Sequence, residues 1–356
     1  MHLRKSVGGF LLCTIFILCF LFSVLPGHAE IYRWQDEQGV WHYTDTPTSD
    51  LETQHPPQPS YETQDSKPSK PASASTGQTQ AADRHPADAE TIQGGFLWRV
   101  SKDGVKDSYL LGTIHSSDSR VVQLKPPVQK ALDGADRFVM EMEMDASALL
   151  TLGSGMMLTD GKDLEAILGP SLFKRAAAAM TAYGYPEMSV RMLKPWVVMA
   201  MLSMPKPTAS PILDLVLHQK ATAAGKPTAG LETAAEQLAV FETLSMDDQI
   251  KLLEMTLEQL PTLPRLMDQL TAAYVADDLQ QIAALASEYS QRGDIDALKQ
   301  FSLRLNDDRN IRMAQRMTPY LQQGNSFIAV GALHLAGPAG LIQLLRNQGY
   351  HVASVQ

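Results

Sequence analysis

Two segments, SYLLGTIHSS and SFIAVGALH, each end an apolar run with a glycine and place a histidine three residues later. The first carries Gly112 and His115, and the second carries Gly331 and His334, more than two hundred residues further along the chain. Both runs have the composition of a strand, and a glycine can turn the chain where a strand ends. Parallel strands bring their carboxyl ends to one sheet edge, where open α/β folds bind ligands. We therefore expect the two imidazoles to share one site.

A third segment, ADRFVMEMEMD, supplies carboxylates. If it forms a strand, alternation places Glu141 and Glu143 on the face opposite Phe138 and Met140. The pattern fits an edge strand whose acidic face lies in water. It equally fits a central strand buried on both faces, in which an ionised Glu141 needs a cation or a hydrogen-bond donor beside it.

Two neutral imidazoles and a carboxylate form a nitrogen and oxygen ligand set that suits Zn, Mn or Co. We therefore predict a divalent metal held by His115, His334 and Glu141. An open coordination position would let a bound water ionise near neutral pH and attack a substrate. The same residues are consistent with a hydrolase that uses no metal, in which His115 or His334 is a general base oriented by glutamate.

The first 29 residues have the pattern of an export signal. Arg4 and Lys5 precede an apolar stretch of about 16 residues, and the tripeptide GHA resembles a cleavage site. The stretch is short for a membrane span, which needs roughly 20 residues, so we expect an exported, periplasmic or secreted protein with no stable span after cleavage. Both cysteines, Cys13 and Cys19, lie in this segment. The mature chain would therefore have no disulfide and no thiolate metal site.

Charge argues against a nucleic-acid partner. The formal net charge is -9 at pH 7, and loss of the two basic residues of the signal would make it -11, with 28 Lys+Arg against 39 Asp+Glu. Binding to phosphates needs a basic face, and no stripe of Lys and Arg is present.

The rest of the chain divides by composition into three parts. Residues 30–48, with the sequence EIYRWQDEQGVWHYTDTP at their start, predict a small β-hairpin module with strands over Ile31–Gln35 and Val40–Thr44. This segment resembles a short N-terminal domain of unknown function found on many exported bacterial proteins. Residues 49–93 are rich in Pro, Ser, Thr and Gln and predict a disordered linker. Residues 94–356 form the main domain.

The middle of the main domain has helical spacing of apolar residues. We predict helices over Asp163–Tyr183 and Pro186–Met204, the second either kinked or restarted near Pro195, and a short strand over TAGLE, which ends at Glu232. The methionines of these helices are expected to fill the core, with the lining of an adaptable groove as the alternative; they are Met188, Met192, Met199, Met201 and Met204.

Six separated blocks of residues 94–356 resemble the TraB/GumN family, in the family's order. They are YLLGTIHSSD, ADRFVMEMEMD, LKPW, ILDLVLHQKATAAGKPTAGLET, DDRNIRMAQRM and FIAVGALHLAGPAGLIQLLRNQGY. The resemblance implies an α/β fold with a central mixed β-sheet and a large helical insertion. It also implies a site of the two G-x-x-H histidines with glutamate. Some members, the Tiki proteins of animals, are described as metal-dependent peptidases.

Carried over by this resemblance, the catalytic candidates are Glu141, Glu232, Arg309 and Asn310. A glutamate that is not a ligand could take a proton from water. Arg309 suits a developing oxyanion or a substrate carboxylate, and Asn310 could orient a peptide carbonyl. Without the resemblance, a surface salt bridge is the default interpretation of Arg309.

Two further acidic positions have no role that the sequence decides. The family usually has Asp where this chain has Glu143, which leaves the role of Glu143 undecided. Asp214 matches an acidic position of the family, but it is equally consistent with a charge on a helix surface. His218 and His351 are expected to be structural.

The leading hypothesis is an exported, metal-dependent hydrolase, most simply a peptidase, that acts on a peptide or another small envelope substrate. The alternative from a different class is a non-catalytic protein that sequesters a peptide or glycan.

Overall fold

The structure is a computed structural model that describes residues 32–35, 41–44, 94–143, 145–159, 161–290 and 296–355. The predicted signal, residues 1–29, and the predicted linker, residues 49–93, lie outside the described residues. Among the residues that it does describe, no helix has the length and apolar character needed to cross a membrane.

Contacts divide the chain into two units, one of which is Pro26–Asp88. In that unit β1 (Tyr32–Gln35) and β2 (Trp41–Thr44) pair antiparallel as a two-stranded sheet. The two strands of the hairpin therefore lie where the sequence pattern predicts them.

The main domain is built on a six-stranded sheet with the strand order β6-β5-β7-β4-β3-β8. Its strands are β3 (Leu97–Lys102), β4 (Val105–Thr113), β5 (Arg137–Met142), β6 (Thr228–Glu232), β7 (Ser326–Gly331) and β8 (His351–Ser354). Strands β6, β5, β7 and β4 are parallel neighbours, whereas β3 pairs antiparallel with both β4 and β8. The sheet is therefore mixed, and the predicted fold class is confirmed.

Helices fill the connections between the strands. In chain order they are α1 (Ser119–Val122), α2 (Pro126–Gly134), α3 (Ala146–Met156), α4 (Leu164–Leu168), α5 (Pro170–Ala182), α6 (Glu187–Arg191), α7 (Pro195–Leu202), α8 (Leu213–Ala223), α9 (Ala234–Glu242), α10 (Met246–Gln259), α11 (Leu263–Val275), α12 (Leu279–Ser290), α13 (Asp296–Gln323) and α14 (Leu341–Asn347). Short 3-10 turns cover Leu260–Thr262 and Ala332–His334.

Two apolar clusters stabilise the domain. One surrounds the sheet and includes Phe138 and Phe327, whose rings stack at a centroid distance of 6.2 Å. The other lies within the helices that follow β5 and is centred on Trp196, whose ring stacks on Phe241 at 4.8 Å. The predicted helical insertion therefore has a core of its own.

Strand β5 is buried on both faces. It lies between β6 and β7, and Phe138, Val139 and Met140 are each 2% exposed or less. Of the two interpretations of the acidic strand, the structure supports the central one. A carboxylate on this strand therefore needs a partner inside the protein.

The predicted long helices are shorter than the spacing suggests. Asp163–Tyr183 is divided into α4 and α5, because Gly169 has a φ of 73° and Pro170 begins the second helix. The methionines are also divided. Met199, Met201 and Met204 are buried, as predicted. Met188 and Met192 are exposed, so the assignment of these two to the core was wrong.

The glycines of the two G-x-x-H segments do not turn the chain, contrary to the prediction. Gly112 lies within β4 without a positive φ, and Gly331 is extended at φ -57° and ψ 139°. At Gly112 the requirement is space, because an added Cβ would lie 2.6 Å from Leu335 Cδ1. The missing side chain lets the segment after β7 pack directly on β4.

Candidate active site

The carboxyl ends of four parallel strands meet at one edge of the sheet. Thr113, at the end of β4, is paired with Gly331, at the end of β7, and Met142 of β5 is paired with Glu232 of β6. His115 and His334 follow β4 and β7 directly. The two G-x-x-H segments, far apart in sequence, therefore lie side by side at this edge.

Arg309, on α13, reaches into this edge from the helical layer. Its side chain is fully buried, and its guanidinium forms hydrogen bonds with two carboxylates. Nη2 donates to Glu141 Oε2 at 2.7 Å and to Glu232 Oε2 at 2.5 Å, and Nε also donates to Glu232 Oε2 at 2.8 Å. The interpretation of Arg309 as a surface ion pair is wrong, and the predicted carboxylates Glu141 and Glu232 are its partners.

The other two carboxylate oxygens differ in their contacts. Glu141 Oε1 accepts the backbone N–H of Gly331 at 2.6 Å, whereas Glu232 Oε1 is buried without a hydrogen-bond partner among the described residues and lies 3.7 Å from Arg312 Nη1. Burial opposes the charge of Glu141, but the Arg309 guanidinium, the nearby histidines and the Gly331 amide outweigh it and lower the pKa of Glu141 to about 2. Burial also opposes the charge of Arg309, but the two glutamates raise its pKa above the ordinary value.

His334 is fully buried and is held at both ring nitrogens. Nδ1 lies 2.7 Å from Asn310 Oδ1, and Nε2 lies 3.2 Å from Arg309 Nη1. Asn310 Nδ2 donates to Ala339 O at 2.9 Å, which orients the amide so that its oxygen accepts from His334 Nδ1–H. Burial lowers the pKa of His334 to about 3, and the charge of Arg309 acts in the same direction, whereas Glu141 opposes it. The ring is therefore neutral.

Asn310 orients a histidine in this arrangement. Both polar atoms of its side chain are engaged within the protein, and the residue is 1% exposed. The predicted contact with a substrate carbonyl has no support in this geometry.

His115 forms a separate pair with Asp214, in the first turn of α8. Nδ1 of the ring lies 2.7 Å from Asp214 Oδ2, and Thr113 Oγ1 donates to Asp214 Oδ1 at 2.6 Å. Both members of the pair are buried, at 6% exposure each. Asp214 is thus not an ordinary helix-surface charge, and its hydrogen bond fixes the orientation of the imidazole.

A cleft of about 540 Å³ opens beside His115. It is lined on one side by Tyr183, Tyr185, Met201 and Met204, and on the other by the segment 205–212, PKPTASPI. The hydroxyl of Tyr183 donates to Met204 O at 2.9 Å, which ties α5 to this wall. The volume is within the range of sites that bind small molecules or short peptides.

Thr113 was missed by the sequence reasoning. It ends an apolar strand, and nothing in the neighbouring sequence distinguishes this threonine from a structural one.

The remaining predicted residues, Glu143, His218 and His351, lie outside this group of contacts. Glu143 accepts from Thr228 Oγ1 at 2.6 Å, His218 packs edge-on against Phe138, and His351 is exposed on the edge strand β8.

Comparison with known proteins identifies the family. A model described as the TraB/PrgY/gumN family matches residues 96–354, most of the chain. The chain belongs to this family. A second model, a domain of unknown function named DUF4124, matches residues 18–80. Both predicted resemblances are therefore confirmed.

Curated relatives of this TraB/PrgY/gumN chain include animal proteins named as metalloproteases. Metalloprotease TIKI1 of Danio rerio is 27% identical over 311 residues, which cover 72% of this chain and 62% of the relative, and Metalloprotease TIKI2 of Danio rerio is 26% identical, covering 60% of the relative. This chain thus spans about three fifths of their length. Uncharacterized protein YbaP of Shigella flexneri is 26% identical and covers 69% of this chain and 90% of the relative. No solved structure matches the chain.

The name of these relatives implies a metal, so the donor atoms of the predicted ligand set matter. His334 uses Nδ1–H for Asn310 and the lone pair of Nε2 for Arg309, and both oxygens of Glu141 accept hydrogen bonds. Within the described ranges, no group of three or more His, Cys, Asp or Glu is placed to hold a metal ion. In this arrangement His115, His334 and Glu141 do not fit a divalent metal as ligands.

Proposed function

We propose that this member of the TraB/PrgY/gumN family is an exported peptide hydrolase in which His115, positioned by Asp214, transfers the proton. One observation carries the proposal: a buried imidazole, fixed at Nδ1 by a carboxylate 2.7 Å away, borders a cleft of about 540 Å³. An imidazole oriented in this way is suited to general acid–base catalysis. The relatives named as metalloproteases support peptide hydrolysis as the reaction class.

The proposed step uses the two nitrogens of His115 differently. In the neutral ring the proton on Nδ1 faces Asp214, which leaves the lone pair on Nε2. Nε2 takes a proton from a water as the water oxygen bonds to the peptide carbonyl carbon. The same proton then passes to the amide nitrogen as the C–N bond breaks, so His115 returns to its neutral form.

Glu141 supports this cycle from a distance. Its carboxylate is ionised, 12% exposed at the side chain, and close enough to His115 for the two charges to interact. A protonated His115 is therefore stabilised both by Asp214 and by Glu141. Glu141 needs no proton transfer of its own for this role.

The lining of the cleft favours a particular class of peptide. Tyr183, Tyr185, Met201, Met204 and Ile212 give the cleft an apolar part, beside polar lining that includes Ser117, Lys206 and Gln219. Apolar or aromatic side chains beside the scissile bond would bury their surface there. The methionines would let the cleft adapt to several such side chains.

Export is a further part of the proposal. The signal-like N-terminus and the match to DUF4124 support a periplasmic or secreted protein. Divalent Mn, Co or Zn was predicted from the sequence, but no step of the mechanism passes through it, because both ring nitrogens of His334 are engaged within the protein.

The test is turnover of a peptide library by the full chain, read by mass spectrometry with chelator and with added Mn²⁺, Co²⁺ or Zn²⁺. We expect cleavage next to apolar residues by the wild type and by His351→Ala, a matched control on the exposed edge strand. His115→Ala should lose roughly 10²–10⁴-fold in rate.

Equal cleavage by His115→Ala would reject the assigned role of this histidine. Retention of peptides without cleavage by the wild type would favour the sequestering protein instead, because the cleft would then bind peptides and do no chemistry on them.

A further inference from the structure

The guanidinium of Arg309 is saturated by acceptors inside the protein. An arginine side chain has five N–H groups. Nε and one N–H of Nη2 face Glu232, and the other N–H of Nη2 faces Glu141. The two N–H groups of Nη1 face Leu305 O at 3.3 Å and His334 Nε2 at 3.2 Å. No donor remains for a substrate carboxylate or an oxyanion.

The position of Arg309 is the position that a metal would need. Both predicted ligands on this side, Glu141 and His334, direct their acceptor atoms at the guanidinium. A histidine binds a metal through the lone pair of one nitrogen. The proton on Nδ1 is directed at Asn310, so the Nε2 lone pair is the one available, and Arg309 takes it.

Charge gives a second reason. Arg309 is always ionised and lies between two buried carboxylates, and the His334 ring, which accepts from Arg309 at Nε2, completes its contacts. A divalent cation at the same acceptors would face the guanidinium at short range in a poorly screened interior. Arg312, which lies 3.7 Å from the second oxygen of Glu232, adds more positive charge.

We infer that the Arg309 guanidinium takes the place at this site that a metal ion has in a metallopeptidase, and that the site binds no divalent metal. The activity arm of the test below rests on the proposed hydrolase function, whereas its metal-binding arm does not. In this respect the chain would differ from its animal relatives, whose name, metalloprotease, implies a metal.

The metal-binding arm uses the full chain purified without a metal-binding tag. Metal content is measured by inductively coupled plasma mass spectrometry, and binding of Mn²⁺, Co²⁺ and Zn²⁺ by calorimetry, for the wild type, His334→Ala and the control His351→Ala. We expect the wild type to bind no more metal than His334→Ala does. We also expect EDTA to leave the melting temperature of the wild type unchanged. Binding that persists in His334→Ala lies elsewhere and supports the inference.

One equivalent of metal bound by the wild type and by His351→Ala, and lost in His334→Ala, would overturn the inference. Because His334→Ala removes a buried ring and can fail to fold, a measurement on the wild type accompanies it. The ¹⁵N signals of the His334 ring should report a proton on Nδ1 and should not shift when Zn²⁺ is added. A shift of the Nε2 signal at one equivalent of Zn²⁺ would also overturn the inference.

The activity arm separates this inference from the hydrolase proposal. Cleavage that continues in EDTA supports both. Cleavage that stops in EDTA and returns with Mn²⁺ would overturn the metal-free site and leave the hydrolase standing. No cleavage of any peptide, by a protein that binds no metal at His334, would reject the hydrolase and support the inference.

Discussion

Replacing Arg309 by methionine should strongly destabilise the main domain. The change keeps the length of the side-chain stem and leaves Glu141 and Glu232 without their shared cation. Removing one partner of a buried ion pair typically costs about 3–5 kcal/mol. The lowered pKa of Glu141 has the same sign, because, against the cost of burial, the Arg309 guanidinium is the strongest of the contacts that stabilise its charged form.

Arg312→Met is the matched control. Arg312 lies one turn further along α13, its side chain is 30% exposed, and it is 3.7 Å from carboxylate oxygens of Glu232 and Glu236. An ion pair with that exposure and distance contributes less than about 1 kcal/mol. The two variants therefore remove the same charge from the same helix, and differ in burial and in hydrogen bonds.

The assay is urea unfolding of both variants and the wild type, with thermal melts alongside. At about 2–4 °C per kcal/mol for a domain of this size, Arg309→Met should melt roughly 6–20 °C below the wild type. Should Arg309→Met not fold at all, Arg309→Lys, which keeps the charge and loses the planar fork, gives a measurable intermediate loss.

The ion pair of Arg309 and Glu141 predicts that the stability of the domain depends on pH. The pKa of Glu141 is lower in the folded state than its ordinary value of 4.5, so its contribution is present above about pH 4.5 and is lost as the pH falls towards about 2. The difference in stability between the wild type and Arg309→Met should therefore shrink over that interval. An Arg309→Met variant no less stable than Arg312→Met, or a difference that does not change with pH, would refute the assignment of a buried ion pair.

Three further outcomes are expected. Asp214→Asn should lower the hydrolysis rate on the order of 10²–10⁴-fold, because an amide can no longer fix the ring proton of His115. The control is Asp247→Asn, which changes an exposed aspartate in the first turn of α10 and should leave the rate unchanged. Equal rates for the two variants would remove Asp214 from the site. Glu141→Gln should cost about 1–3 kcal/mol and lower turnover, measured by unfolding and kinetics, and unchanged turnover would show that its charge is not used. A chain beginning at Gly94 should melt as the full chain does, and a large fall in melting temperature would show that the main domain depends on the residues removed.

The strands were predictable because they carry local signals. Alternating or continuous apolar runs identify β4, β5 and β7, and TAGLE identifies β6, so the sequence places the edge at which the site lies. The burial of β5 could not be read from its own residues. It depends on β6 and β7, which follow it in the chain by many residues and flank it in the sheet.

The members of the site were more predictable than their pairing. His115, His334, Glu141, Glu232 and Arg309 were all named from spacing and family resemblance, yet their partners follow from contacts across the fold. Arg309 lies next to two aspartates in sequence and pairs instead with glutamates 77 and 168 positions away. Periodicity carries no information on such pairs, so the sequence alone led to a metal at the acceptors of His334 and Glu141 that Arg309 contacts.

His115 and Asp214 illustrate the same limit. The aspartate has the sequence context of any acidic residue in the first turn of a helix, where the macrodipole alone favours a negative charge. Asp214 differs from Asp247 because the first turn of α8 packs against the end of β4. There its carboxylate forms hydrogen bonds with Thr113 and His115. That packing is decided by the tertiary fold.

The most direct test of the account is a crystal structure of the full chain with a peptide whose scissile amide is replaced by a methylene amine, collected with anomalous data after soaking in Zn²⁺. The account predicts that the peptide lies in the cleft, with the replaced bond beside His115, and that Arg309 keeps its contacts with Glu141, Glu232 and His334 and no metal binds there. A peptide bound away from His115, or an anomalous peak coordinated by His334 and Glu141 in place of the guanidinium, would contradict it.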